Sequence, residues 1–180
     1  FAENHNANYN IYECDYFVVI NPDVLIHDHE TFNKMILFSH NNNNQHILCP
    51  SIKRLNGELE VSARYFPSLT IMLKKILFGK RGAFKVLSKS KPAFVDWAGG
   101  MFHFFPSEIF LKLGGYDEKY FLYYEDVDIC YRAKQSKINT CILPDVLITH
   151  EGQRNSHKSF YYFLIHIKSL LRFWTKFYFR

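Results

Sequence analysis

The chain has 180 residues, 48% of them apolar, with 18 Phe, 12 Tyr and 2 Trp. That is the composition and size of one folded domain with a substantial core, and it excludes an intrinsically disordered chain. The net charge of +5 is confined to the tail: from Gly152 onward there are six basic residues and no acidic one, while the rest holds 16 basic and 17 acidic groups. A balanced body of this kind excludes a nucleic-acid-binding surface.

Residues 15–20 (DYFVVI) form a short apolar run rich in β-branched and aromatic side chains, and predict a buried strand. Asn21-Pro22-Asp23 ends it, because Pro22 has no N–H to give to a sheet. A helix is expected over 31–39, a loop at the four asparagines 41–44, and a second strand over 45–52. Asn56-Gly57 signals a hairpin turn. A short helix over 67–78 and a basic loop over 79–92 follow. Strands are expected at 93–97 and 101–105, flanking Gly99-Gly100. Ser107 reads as the cap of a helix that stops at Gly114-Gly115, and a further helix spans 125–135. An extended segment over 138–150, interrupted at Pro144, leads to a long final helix over 157–178. No run reaches the length of a membrane span. The alternation of strands and helices predicts an α/β layered domain. Cys14, Cys49, Cys130 and Cys141 have no metal-binding spacing and read as reduced thiols.

Three groups of residues carry chemistry. Asn21 and Asp23 sit where a buried strand opens into a turn, the edge at which open α/β sheets bind ligands. An Asp there can hold a divalent metal bridging two phosphates, or simply bond its own turn. Residues 114–132 (GGYDEKYFLYYEDVDICYR) crowd Asp117, Glu118, Glu125, Asp126 and Asp128 among aromatic rings. Mutual repulsion and desolvation raise carboxyl pKa values toward the range of a general base, although any single acid here also suits a helix N-terminus. His150 ends the extended segment, and a histidine there is either a metal ligand or an ordinary satisfied side chain.

The order of these segments is what becomes specific. N-P-D, then W-A-G-G-M-F, then L-G-G-Y-D-E-K-Y-F-L-Y-Y-E-D-V-D-I-C-Y-R, then H-E-G-Q-R-N-S resembles the family 2 inverting glycosyltransferases of the GT-A fold. The rhamnosyltransferase-like branch that builds bacterial surface polysaccharides is the one most similar, and Arg64-Tyr65-Phe66-Pro67-Ser68 resembles a further segment of it. The resemblance implies a Rossmann-like mixed sheet flanked by helices, with residues 1–152 as the metal, acceptor and base part of the domain and 153–180 as a basic amphipathic helix. By the same resemblance Asp126 is the catalytic base and Glu125 supports it. Asn21, Asp23 and His150 lie on the donor side, Asp23 and His150 as ligands of Mg²⁺ or Mn²⁺. Trp97, Gly99, Gly100 and Asp128 border the acceptor. Such enzymes begin with a strand and loop that bind the nucleotide base and ribose; no such segment precedes Phe1 here, so the chain is expected not to turn over alone.

The expected partners are a nucleotide-sugar donor and a saccharide or lipid-linked acceptor, in a cytoplasmic protein with peripheral contact at the inner membrane face. Lys168, Arg172, Lys176 and Arg180 recur every four residues, a stripe that fits either an anionic membrane interface or a helix packed on its own domain with a solvated basic face. The rival functions are a silent GT-A-like glycan-binding module and a metal-dependent nucleotide-sugar hydrolase.

Overall fold

The computed structural model describes residues 1–11, 13–71, 77, 91–150 and 160–179. The segment His46–Lys53 (β3) is apolar on both faces, and Phe102–Pro106 (β8) is buried at every position. Strands of this composition need a layer on each side, and they have one. The sheet has seven strands, and its spine runs β1 (Tyr16–Ile20), β8, β3, β9 (Asn139–His150), β2 (Val24–Ile26). Strands β3 and β9 are parallel; the pairs β1·β8, β3·β8 and β2·β9 are antiparallel. Strand β4 (Leu59–Glu60) adds to β3, and β6 (Ala93–Val95) to β9. A separate two-stranded ribbon joins β5 (Ala63–Arg64) to β7 (Trp97–Ala98). The mixed, helix-flanked sheet expected from the sequence is present.

Helix α2 (Thr31–Asn41) covers one face, inserting Met35 against Leu48, Phe104 and Ile148. The other face carries α1 (Ala2–Ile11), α3 (Ser107–Lys112), α4 (Glu125–Gln135) and α5 (Phe160–Phe177), packed around Ile47, Phe105, Phe110, Ile129 and Phe173.

The Asn56-Gly57 hairpin is present, with Ile52 opposite Glu60 and Gly57 at φ +82°. Gly114-Gly115 stop α3 at φ +69° each. Gly115 is required for a second reason: a Cβ there would lie 2.4 Å from Asn6 Oδ1, which accepts the Tyr116 N–H.

Several expectations need correcting. Ser107 is the first residue of α3 rather than its cap; Pro106 holds the cap position and makes no side-chain bond. Strand β9 is continuous, but its pairing with β3 is interrupted at Pro144 as expected: Pro50 faces Leu143 and Ser51 faces Leu147, so residues 144–146 have no partner on β3. Strand β2 arises from only three residues and pairs with β9, a partner over a hundred positions away, so no local signal announces it. Of the helix expected over 67–78, residues 69–71 are helical; the loop expected over 79–92 lies, through residue 90, outside the described residues.

The largest correction concerns the tail. Two members of the basic stripe on α5, Arg172 and Lys176, turn inward onto acids, whereas Lys168 is exposed and Arg180 lies outside the described residues. Arg172 reaches Asp117 at 2.8 Å, and Lys176 reaches Asp117 at 2.7 Å and Asp128 at 2.6 Å. Burial opposes the charged form of Asp117, but the bonds from Lys176 and Arg172 outweigh it and hold its pKa well below the usual carboxylate range. Phe173 is fully buried, and the Trp174 indole N–H donates to the Pro67 carbonyl. Among the described residues no helix is long and apolar enough to cross a membrane.

Candidate active site

The site forms where β1, the β7–β8 turn, the start of α4 and the end of β9 meet. Tyr123 and Tyr124 both adopt left-handed backbone, at φ 66° and 71°. Non-glycine residues are strained there and persist only when their surroundings hold them. Their rings pack against His166 of α5, at 5.4 Å and 5.2 Å between centroids. This kink delivers Glu125 and Asp126 as the first two residues of α4.

Asp126 is held from two sides. Its Oδ2 accepts the Gly100 N–H at 3.0 Å, and its Oδ1 accepts the Val127 N–H at 2.8 Å. Burial raises its pKa, while the Gly100 and Val127 N–H groups and the positive charge of Arg64 pull the other way. Burial and then the charge of Asp126 push the neighbouring Glu125 up to about 8. Glu125 Oε2 is buried with no hydrogen-bond partner. Two adjacent carboxyls in a desolvated site cannot both ionise cheaply, so the pair is fit to take up and hold a proton near neutral pH.

Gly100 is a glycine for a local reason. A Cβ there would sit 3.2 Å from Asp126 Cβ, inside ordinary contact distance. A side chain at position 100 would therefore press on the stem of Asp126, the carboxylate that the β7–β8 turn grips.

A second group lies at the sheet edge. His150 Nε2 is 3.4 Å from Asp23 Oδ2, and its Nδ1 is 3.6 Å from Glu60 Oε2. The imidazole is nearly buried, and its Nδ1 has no hydrogen-bond partner. Glu60 was not singled out by the sequence. Its position follows only from the hairpin that folds β4 back on β3.

Backbone contacts join the two groups into one ring. Asn21 N–H donates to Met101 O at 2.9 Å, next to Gly100. Gly99 N–H donates to Ser62 O at 3.1 Å, and Ser62 N–H donates to Glu60 O at 3.0 Å. Asp23, His150, Glu60, Ser62, Gly99, Gly100 and Asp126 are therefore linked in one continuous series of contacts. Trp97 flanks the ring, its indole N–H donating to Tyr65 O at 3.0 Å and the Arg64 guanidinium 6.0 Å from its ring centre.

Asp128 does not join the ring. It is fully buried, with Oδ2 2.6 Å from Arg132 Nε and Oδ1 2.6 Å from Lys176 Nζ. Both oxygens are taken by cations, Arg132 from the next turn of α4 and Lys176 from α5, a geometry that leaves nothing to offer an acceptor.

Among the described residues no group of three or more His, Cys, Asp and Glu side chains is arranged to hold a metal ion. Asp23 and Glu60 approach opposite nitrogens of His150, so one cation cannot take both carboxylates through that ring. Asp23 and His150 Nε2 together do fit one cation: two ligands about 2.1 Å from a metal and at right angles lie about 3 Å apart. The donor set suits a cation that also takes phosphate oxygens and water, rather than an all-protein cage.

Comparison with known proteins bears on the whole arrangement. No protein-family model matches the chain. It is 24% identical over 162 residues to rhamnosyltransferase WbbL of Escherichia coli K12, an alignment covering 88% of this chain and 61% of that protein. It is 29% identical over 126 residues to the low-salt glycan biosynthesis hexosyltransferase Agl10 of Haloferax volcanii, covering 68% and 38%. The structure superposes with a TM-score of 0.61 on GalNAc-T7, solved with UDP, GalNAc and Mn²⁺, at 11% identity over 84% of this chain and 30% of that one. The chain is similar to known glycosyltransferases of glycan synthesis. Its fold is that of the GT-A enzymes. It spans less than two thirds of the length of each of these relatives.

Proposed function

We propose that this chain carries the metal, acceptor and base half of an inverting glycosyltransferase that moves a sugar from a nucleotide-diphosphate donor to a saccharide or lipid-linked acceptor in surface-polysaccharide synthesis. Residues 1–152 form that half, and the segment 153–180, which contains α5, follows it. The observation that carries the reading is the ring itself: a buried, doubly hydrogen-bonded carboxylate, Asp126, is linked through Gly100, Ser62 and Glu60 to the Asp23–His150 pair.

In this mechanism Asp126 accepts the proton of an acceptor hydroxyl as that oxygen attacks the anomeric carbon. The attack displaces the nucleoside diphosphate with inversion in a single step. Glu125 lies beside the base and, holding a proton itself, leaves Asp126 as the ionised member of the pair. Trp97, with Arg64 over its ring, offers an aromatic wall for a sugar face. Asp23 and His150 would hold Mg²⁺ or Mn²⁺, which supplies charge neutralisation for the departing diphosphate. Rhamnose is the sugar favoured by the name of one relative. The exposed Phe160, Tyr161, Phe163 and Leu164 on α5 support a peripheral contact at the cytoplasmic membrane face.

The test uses the full polypeptide containing this chain, incubated with Mn²⁺ or Mg²⁺ and a panel of nucleotide sugars, with and without a membrane lipid extract. Diphosphate release that requires both metal and acceptor is expected. Release without acceptor supports a hydrolase instead, and no release with any donor supports a silent glycan-binding module.

A further inference from the structure

One buried polar group has no part in the chemistry above. His103 lies in the middle of β8 between phenylalanines and is wholly inaccessible. Its Nε2 is 3.0 Å from the Ala98 carbonyl oxygen, and its Nδ1 is 2.9 Å from the Tyr116 hydroxyl. A carbonyl only accepts, so Nε2 carries the proton and Nδ1 accepts from the Tyr116 O–H. Burial lowers the His103 pKa to about 4, which keeps the ring neutral and this one tautomer in place. A phenylalanine would fill the same slot without the cost of burying an imidazole.

The bonds lead to the Asp126 carboxylate. The peptide joining Ala98 to Gly99 is held at both ends, its carbonyl by His103 and its N–H by the Ser62 carbonyl. The next N–H along the chain, that of Gly100, is the one that donates to Asp126 Oδ2. At the far end Tyr116 is fixed in turn: its N–H donates to Asn6 Oδ1 at 2.9 Å, and its carbonyl accepts from Asn6 Nδ2 at 2.8 Å. A fully satisfied buried network of this kind rigidifies what it touches.

We propose that His103, oriented by Tyr116, is a positioning residue that holds the Ala98–Gly100 turn so that the Gly100 N–H meets the Asp126 carboxylate. The proposal rests on the reading of Asp126 as the base. His103 touches no substrate and acts only through the turn. Its effect on transfer therefore falls on kcat, with KM nearly unchanged.

The test uses the full polypeptide with the nucleotide sugar it turns over, and ¹⁵N-labelled protein for amide exchange. His103→Phe keeps the bulk and removes both bonds; Tyr116→Phe removes one hydroxyl. His103→Gln keeps an N–H near the Nε2 position. In His103→Phe the Gly100 amide exchanges about ten times faster, α4 amides beyond the first turn are unchanged, and kcat falls by about 10²-fold. The acid limb of the kcat profile moves to higher pH, because the Gly100 N–H is one of the groups holding the Asp126 pKa down. Arg64, Glu125, Cys49, Cys130 and Tyr124, which act on or lie beside Asp126, are unaltered in these proteins; Tyr116, whose phenol also feels the Asp126 charge, changes only in Tyr116→Phe. Gln restores most of the rate, and Tyr116→Phe gives a smaller change in the same direction. If His103→Phe fails to fold, Tyr116→Phe and His103→Gln supply the same readouts. A fall in thermal stability with wild-type Gly100 exchange and an unmoved pH limb overturns the proposal. Asp126→Asn separates the two ideas: full activity in that protein defeats the base reading, while Gly100 exchange in His103→Phe still reports on the clamp.

Discussion

At the scale of single residues, the site depends on close approach. Gly100→Ala places a methyl 3.2 Å from Asp126 Cβ, and the stem of a short side chain cannot swing aside. It is expected to lower transfer by about 10²-fold while leaving the fold intact by circular dichroism. Gly99→Ala instead meets the flexible end of Met101, 2.8 Å from its sulfur, and should cost far less. Glu60→Gln removes the carboxylate that faces His150 Nδ1. Partners of a ligating histidine orient it, so Mn²⁺ affinity measured by electron paramagnetic resonance should fall about 10-fold. Wild-type affinity in Glu60→Gln would remove Glu60 from the site.

At the scale of elements, the junction of α4 with α5 is ionic at its centre and apolar around it. Asp128→Ala leaves Arg132 and Lys176 facing a buried gap, and is expected to destabilise the protein by about 3 kcal/mol in urea unfolding. The junction also has a pH dependence. The folded pKa of Asp117 is depressed, so its stabilising contribution is complete above the unfolded value near 4 and is lost as pH falls below it. The melting temperature should drop steeply below about pH 4 in the wild type and less steeply in Asp117→Asn. This junction explains why the sequence left open whether the tail packs on the domain or faces a membrane. A four-residue spacing of cations shows that they share one helix face, but not whether acids from residues 117 and 128 wait opposite that face.

At the scale of the molecule, what was legible in the sequence followed from local pattern. Buried runs gave β1, β3 and β8, the Asn56-Gly57 turn gave a hairpin, and the acidic–aromatic stretch gave the start of α4. The pairing of Asp23 with His150, and the closeness of both to the turn that grips Asp126, depend on β2 lying beside β9 and β1 beside β8. Glu60 and His103 were invisible for the same reason: their partners are supplied by the fold rather than by neighbours in the chain. The buried pair at the centre also marks global stability. Glu125 has a raised folded pKa, so the folded state binds its proton more tightly. Stability from this group is full below the unfolded value near 4.5 and declines as pH rises through about 8. Glu125→Gln should therefore match the wild-type melting temperature at pH 4 and exceed it at pH 8. The most direct test of the central claim is the transfer rate of Asp126→Asn in the full polypeptide, measured beside its Mn²⁺ affinity and melting temperature. A base at this position predicts a rate lower by about 10³-fold with metal affinity retained and a native melt; a rate close to wild type would contradict the account.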